Sequence, residues 1–205
     1  MKKQLTNLAE ENHVNSNCII ICILSHGEEG RVIGVDGQMI SIDKDVVAEF
    51  TSKSSLAGKP KLFFIQACQG NDRLRPVSEP VESGENSLPP LPINDNLSPD
   101  SAADLASDAV ASHPAKSDYL LCLPTVEGYA AYRNKNSGTW FIMTLVEKLR
   151  LFGCKEDIMT IMRRVNNQVA DAVGKIDGEK VKQQPVQKTT LRKQLIFKKK
   201  NKKNI

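Results

Sequence analysis

A chain of 205 residues, 40% hydrophobic and 25% charged, can form one globular domain with a real core. It opens on no apolar run and holds nothing near the length of a membrane span, so neither secretion nor membrane insertion is expected. The net charge of +4 is concentrated in Lys198, Lys199, Lys200, Lys202 and Lys203 of a basic tail (198–205), leaving the body without the basic field that nucleic acid requires.

The chain begins with Leu5, Leu8 and Ala9 at helical spacing within residues 1–12. CIIICIL (18–24) is a continuous, largely β-branched run, and predicts a strand covered on both faces that stops at Ser25-His26-Gly27. Asp36-Gly37 between short apolar stretches predicts a hairpin over 31–42, and acidic residues opening 43–50 predict a short helix. KLFFIQ (61–66) predicts a second buried strand, broken by Ala67-Cys68-Gln69-Gly70. Residues 71–117 then hold seven of the ten prolines and read as a linker, far longer than an ordinary connection. A third apolar strand follows at 118–124, then a helix over 140–152 closed by Gly153. A second helix, 156–173, carries Ile158, Met162, Val165, Val169 and Val173 on one face, and 189–197 alternates as a last strand. This order predicts an α/β sandwich interrupted near its middle, one unit built from two segments.

The five cysteines are odd in number and lack Cys-x-x-Cys spacing, so no disulfide framework, metal or cofactor is expected, and a reducing, cytoplasmic setting fits best. Two strands end in groups able to do chemistry: His26 and Cys68. In open α/β sheets ligands sit beyond the carboxyl ends of strands, so parallel neighbours would bring both residues to one edge. A thiol attacks as thiolate, and an adjacent imidazole favours that ion and returns a proton to the leaving amine. Gly27 lets backbone approach a substrate closely, and its N–H, with that of Cys68, could donate to a developing oxyanion. Singly, a cysteine after a strand is usually core and a histidine at a turn merely polar.

Together, SHGEEG (25–30) and QACQG (66–70) resemble the motifs of the caspase family of cysteine proteases. GYAAYRNKNSGTWF (128–141) is similar to that family's small-subunit motif, and LRKQLIF (191–197) to its last strand. The resemblance implies a three-layer α/β/α sandwich whose mostly parallel sheet ends in an antiparallel strand. It assigns 1–70 to the large subunit, 71–117 to the intersubunit linker and 118–197 to the small subunit. It also implies hydrolysis of peptide bonds after aspartate, with Cys68 as nucleophile, His26 as general acid/base and Gly27 in the oxyanion hole. Gln66 and Arg133 match the glutamine and one of the two arginines that grip the substrate aspartate, a carboxylate that a guanidinium fork suits. Ala130, Ala131 and Tyr132 stand where tyrosine, serine and tryptophan are frequent, which implies a widened neighbouring subsite. The family's first sheet strands, with the second arginine, have no match here.

The resemblance further implies a zymogen cut in its linker, for which Asp100 before Ser101 and Asp108 before Ala109 are the candidate points. An exposed strand at 189–197 would invite pairing with another chain, giving a homodimer or a heterodimer with a second caspase. The expected role is in apoptosis or related signalling, on protein substrates with an exposed aspartate. The alternative is a truncated, non-catalytic caspase-like protein that dimerises with an active caspase and modulates it. The complete Cys–His pair favours the first, and the unmatched arginine favours the second.

Overall fold

Each apolar run of the sequence closes on another as a neighbouring strand. The structure, a computed structural model, describes residues 1–77, 113–134 and 138–198. The elements run α1 (Lys2–Glu10), β1 (Ile19–Leu24), β2 (Gly27–Glu28), β3 (Arg31–Ile33) and β4 (Met39–Ser41). A π-helical turn (Ile42–Val47) leads into α2 (Ala48–Thr51), and a 3-10 turn (Ser54–Leu56) precedes β5 (Lys61–Gln66). Then come β6 (Tyr119–Leu123), β7 (Arg133–Asn134), β8 (Gly138–Thr139), α3 (Trp140–Phe152) and α4 (Ile158–Asp171). The last elements are β9 (Gly174–Ile176), β10 (Glu179–Val181) and β11 (Val186–Thr189). Residues Met1–Pro76 and those from His113 onward make one unit.

The main sheet has the order β1-β5-β6-β11, with β1, β5 and β6 parallel and β11 antiparallel. Every residue of β5 is buried, so its alternate side chains feed two cores. Phe63 and Ile65 join Ile19, Ile21, Val46 and Phe50 on the side of α1 and α2. Leu62 and Phe64 join Phe141, Leu145, Met162 and Val165 under α3 and α4. Full burial of a side chain of this size contributes about 1.5–3 kcal/mol, which is why the continuous run reads as a central strand. The α/β/α layering and the antiparallel last strand are as expected from the sequence.

Three expectations are corrected. β1 is covered on one face only: Ile19, Ile21 and Ile23 are buried, whereas Ile20 and Leu24 are 45% and 63% exposed. It is the outer strand of the sheet, so the helices above β5 and β6 do not reach that face. The last strand lies at Val186–Thr189 rather than over 189–197. Beyond it, Leu191, Leu195 and Phe197 pack on the α3–α4 layer, and Ile158 N and Leu195 O are bonded at 2.9 Å. The edge strand at this end of the sheet is therefore β11, opposite β1. The second helix ends at Asp171, which leaves Val173 54% exposed instead of on its apolar face.

Two ends of the expected linker belong to the folded body. Asp118 accepts two bonds from Arg192, at 2.9 and 2.6 Å, and Arg192 also meets His113 Nδ1 at 2.9 Å. The guanidinium holds the Asp118 carboxyl below the usual carboxylate range. Lys61, 2% exposed beside this pair, spends its ammonium protons on Leu56 O and Lys59 O, and burial pulls its pKa down. Residues 71–76 are tied to the body as well, as described below.

Candidate active site

β1 and β5 pair in register from Ile19 with Lys61 to Leu24 with Gln66. His26 and Cys68 therefore each stand two residues past the last pair, on one rim of the sheet. The turn between them is fixed by backbone: Ser25 N donates to Gln66 O at 3.0 Å, and Ile33 N to His26 O at 2.9 Å. Gly27 presses this hairpin against the thiol-bearing turn. A Cβ there would overlap Arg31 O and stand 2.9 Å from Ala67 Cβ and 3.2 Å from Cys68 O. The placement of His26 and Cys68 at one edge of the sheet thus follows from strand register and from a residue without a side chain. His26 is exposed and Cys68 half-buried.

Gln69 locks the two turns together. Its side chain is 2% exposed; Oε1 accepts from Gly30 N at 3.2 Å, and Nε2 donates to Cys68 O at 3.0 Å. Its backbone pairs with the arm that carries the small-subunit motif, through Gln69 N to Tyr129 O (3.0 Å) and Gly128 N to Gln69 O (2.7 Å). This arm runs past the sulfur: Cys68 Sγ lies 3.9 Å from Ala131 O. Tyr132 follows, buried, its ring 5.5 Å from that of Trp140, and its N–H donates to Gln183 Oε1 at 2.7 Å. Gln183 is itself 1% exposed and donates onward to Pro124 O at 2.8 Å. Arg133 stands exposed on β7, and its side chain has no bonded partner among the described residues.

The local electrostatics agree with this arrangement. The Tyr132 phenol is pushed above its usual range, first by burial; the nearby Cys68 adds to the effect and Arg73 opposes it. Glu29, at the tip of the His26 hairpin, is held above the ordinary carboxylate range by a hydrogen bond with Glu127 and by that group's charge. Burial pushes the Cys122 thiol far up, in keeping with its place in the core beneath α3. Cys22 and Cys154 are exposed and belong to none of the motifs.

Two polar atoms near Cys68 are buried without a partner: Gln66 Oε1, at the carboxyl end of β5, and the Tyr132 hydroxyl. Buried polar groups are nearly always bonded, so these two atoms are open to a partner from outside the chain, an ordered water or a bound group. Half a turn of the Gln66 amide would present a donor to a carboxylate. The predicted residues Gln66, Cys68, His26, Gly27, Ala131 and Tyr132 thus come together around one rim, and Arg133 continues the arm next to it. Asp100 and Asp108 lie outside the described residues. Gln69 and Gln183 were not singled out from sequence. Gln69 sits inside the QACQG motif, whereas the partners of Gln183 lie 51 and 59 positions away and leave no local signal.

Comparison with known proteins points the same way. The family model described as "Caspase domain" matches residues 1–196. The chain is 39% identical to Caspase-8 of Mus musculus over 194 residues, 91% of this chain and 36% of that protein. It is 34% identical to Caspase-9 of Homo sapiens over 209 residues, 95% of this chain and 48% of that protein. Among solved structures it resembles Caspase-1 from Spodoptera frugiperda, with a TM-score of 0.78 at 29% identity, covering 98% of this chain and 71% of that one. The chain spans roughly a third to a half of the length of these curated relatives. Motifs, fold and relatives converge on one assignment: this chain belongs to the caspase family and carries a caspase-like protease domain.

Proposed function

We propose that the chain hydrolyses peptide bonds on the carboxyl side of aspartate. The observation that carries this reading is the shared register of His26 and Cys68, each two residues beyond the last β1–β5 pair. The Cys68 thiolate attacks the scissile carbonyl carbon, and the oxygen takes up the electron pair beside the N–H groups of Gly27 and Cys68. Collapse of this intermediate breaks the C–N bond as His26 protonates the leaving amine. Water, deprotonated by His26, then releases the acyl group as a carboxylic acid and restores the thiol. The substrate aspartate is held by the Arg133 guanidinium and the Gln66 amide, with Tyr132 and Ala131 shaping the neighbouring subsite. A fluorogenic peptide ending in aspartate should be cleaved by the folded chain and left intact by Cys68→Ala. Equal treatment of peptides ending in aspartate and in asparagine would overturn the specificity. A folded wild type with no turnover would leave the non-catalytic modulator as the reading.

Processing in the linker belongs to the same proposal. The bonds after Asp100 and Asp108, each followed by a small residue, are the ones we expect to be cut. Intact mass spectrometry of an active preparation should find fragments ending at one of them. An active chain left whole between 95 and 118 would rule both out. The open edge of β11 supports assembly as a dimer, with itself or with another caspase, and five free thiols suit a cytoplasmic protein of apoptotic or related signalling.

A further inference from the structure

We propose that Arg73 and Arg75, paired with Asp177 and Glu179, are positioning residues: they strap the segment after the nucleophile onto the β9–β10 hairpin and so hold the Tyr132–Arg133 arm beside Cys68. This rests on the protease reading for its catalytic consequence, though not for the strap itself. Arg73 Nη2 meets Asp177 Oδ2 at 2.7 Å, and Arg75 Nη2 meets Glu179 Oε2 at 3.3 Å. Arg73 and Arg75 stand two positions apart, as do Asp177 in the hairpin turn and Glu179 at the start of β10, so the two pairs fasten one segment to one turn. Just past β10 the backbones join as well, Lys182 N donating to Leu74 O at 2.8 Å. The hairpin has its own anchor, since the Lys182 ammonium donates to Ala170 O (2.7 Å) and Asp171 O (3.2 Å) at the end of α4.

The strap reaches the site through one residue. Asp72 N donates to Gly128 O at 3.0 Å, and Ala130 N donates to Asp72 O at 2.9 Å, a parallel bridge to Tyr129. The arm that leads to Arg133 is thus held by Gln69 and Asp72 before Tyr132 and by Gln183 at Tyr132 itself. Loosening the strap weakens the Asp72 hold and leaves the arm to Gln69 and Gln183. The charge of Arg73 is felt at Tyr132, which places the strap within electrostatic reach of the buried phenol. Both pairs are largely exposed, with Arg73 40% and Arg75 74% accessible, so each is weak and salt screens it. The strap therefore holds reversibly, and ionic strength loosens it.

Hydrogen exchange on the full chain tests this alongside steady-state kinetics. In the double variant Asp177→Asn with Glu179→Gln, amides in 71–76 and 128–133 should exchange about fivefold faster, while those of β5 and α4 stay as they were. Wild type in high salt should approach the variant, and the swap Arg73→Asp with Asp177→Arg should regain protection. With an aspartyl peptide, KM should rise by about fivefold with little change in kcat. Unchanged exchange in both segments, or a change confined to 71–76, would overturn the proposal. Faster exchange in both segments of a chain that never cleaves peptide would sustain the strap and defeat the protease reading.

Discussion

Replacing His26 with alanine is expected to lower kcat for an aspartyl peptide by about 10²–10⁴-fold while leaving KM within about threefold. The asymmetry follows from where the histidine sits. It stands on the rim beyond β1, and in the proposed mechanism its imidazole acts only when a proton moves, first on forming the thiolate and then on expelling the amine. The proposed grip on the substrate aspartate lies on different elements, the arm with Arg133 and the carboxyl end of β5 with Gln66. Because His26 is exposed and its backbone oxygen, not its ring, holds Ile33 N, the variant should melt with the wild type. The check is a thermal melt beside initial rates over a range of peptide concentrations. Retention of more than about a tenth of the wild-type kcat would remove His26 from the chemistry, and a rise in KM alone would assign it to binding.

The sequence held most of this site because the chemistry is local. His26 and Cys68 each follow an abrupt end to an apolar run, and strand register does the rest. What sequence concealed has identifiable causes. CIIICIL is the more uniformly apolar of the two runs, yet it is KLFFIQ, in β5, that lies between two strands; position in the sheet, which composition does not record, decides that Ile20 and Leu24 face outward. The alternation in TTLRKQLIF is real, but Leu191, Leu195 and Phe197 satisfy it against helices rather than as a strand. Asp177-Gly178 carries the same turn signal that located the hairpin at Asp36-Gly37, with φ of 52° and 83°, and predicts the β9–β10 hairpin equally well. The Arg73–Asp177 pair bridges 104 positions and could not have been read from either end.

Gly70→Ala is expected to be the most damaging glycine-to-alanine change among the described residues, lowering stability by roughly 3 kcal/mol or more. Two independent penalties combine there. The residue has φ of 151°, outside the range alanine adopts comfortably, and a Cβ built on it overlaps the carbonyl of Gly128 and stands 2.6 Å from Gly128 Cα. The obstacle is backbone, so no side chain can rotate away. Relief would require separating the nucleophile turn from the arm, breaking Gly128 N to Gln69 O (2.7 Å) and Asp72 N to Gly128 O (3.0 Å). The same bonds seat Ala131, Tyr132 and Arg133, so any molecules that still fold should also bind substrate poorly. Gly30→Ala is the matched control: its φ is 66° but nothing lies within 4 Å, so only the backbone penalty of about 1–2 kcal/mol applies. At about 2–4 °C per kcal/mol for a domain of this size, Gly70→Ala should melt on the order of 10 °C below wild type, with Gly30→Ala well above it. Equal melting of the two variants would mean that the Gly70–Gly128 contact is not closed in solution, and with it the seating of the arm against Cys68 would fall.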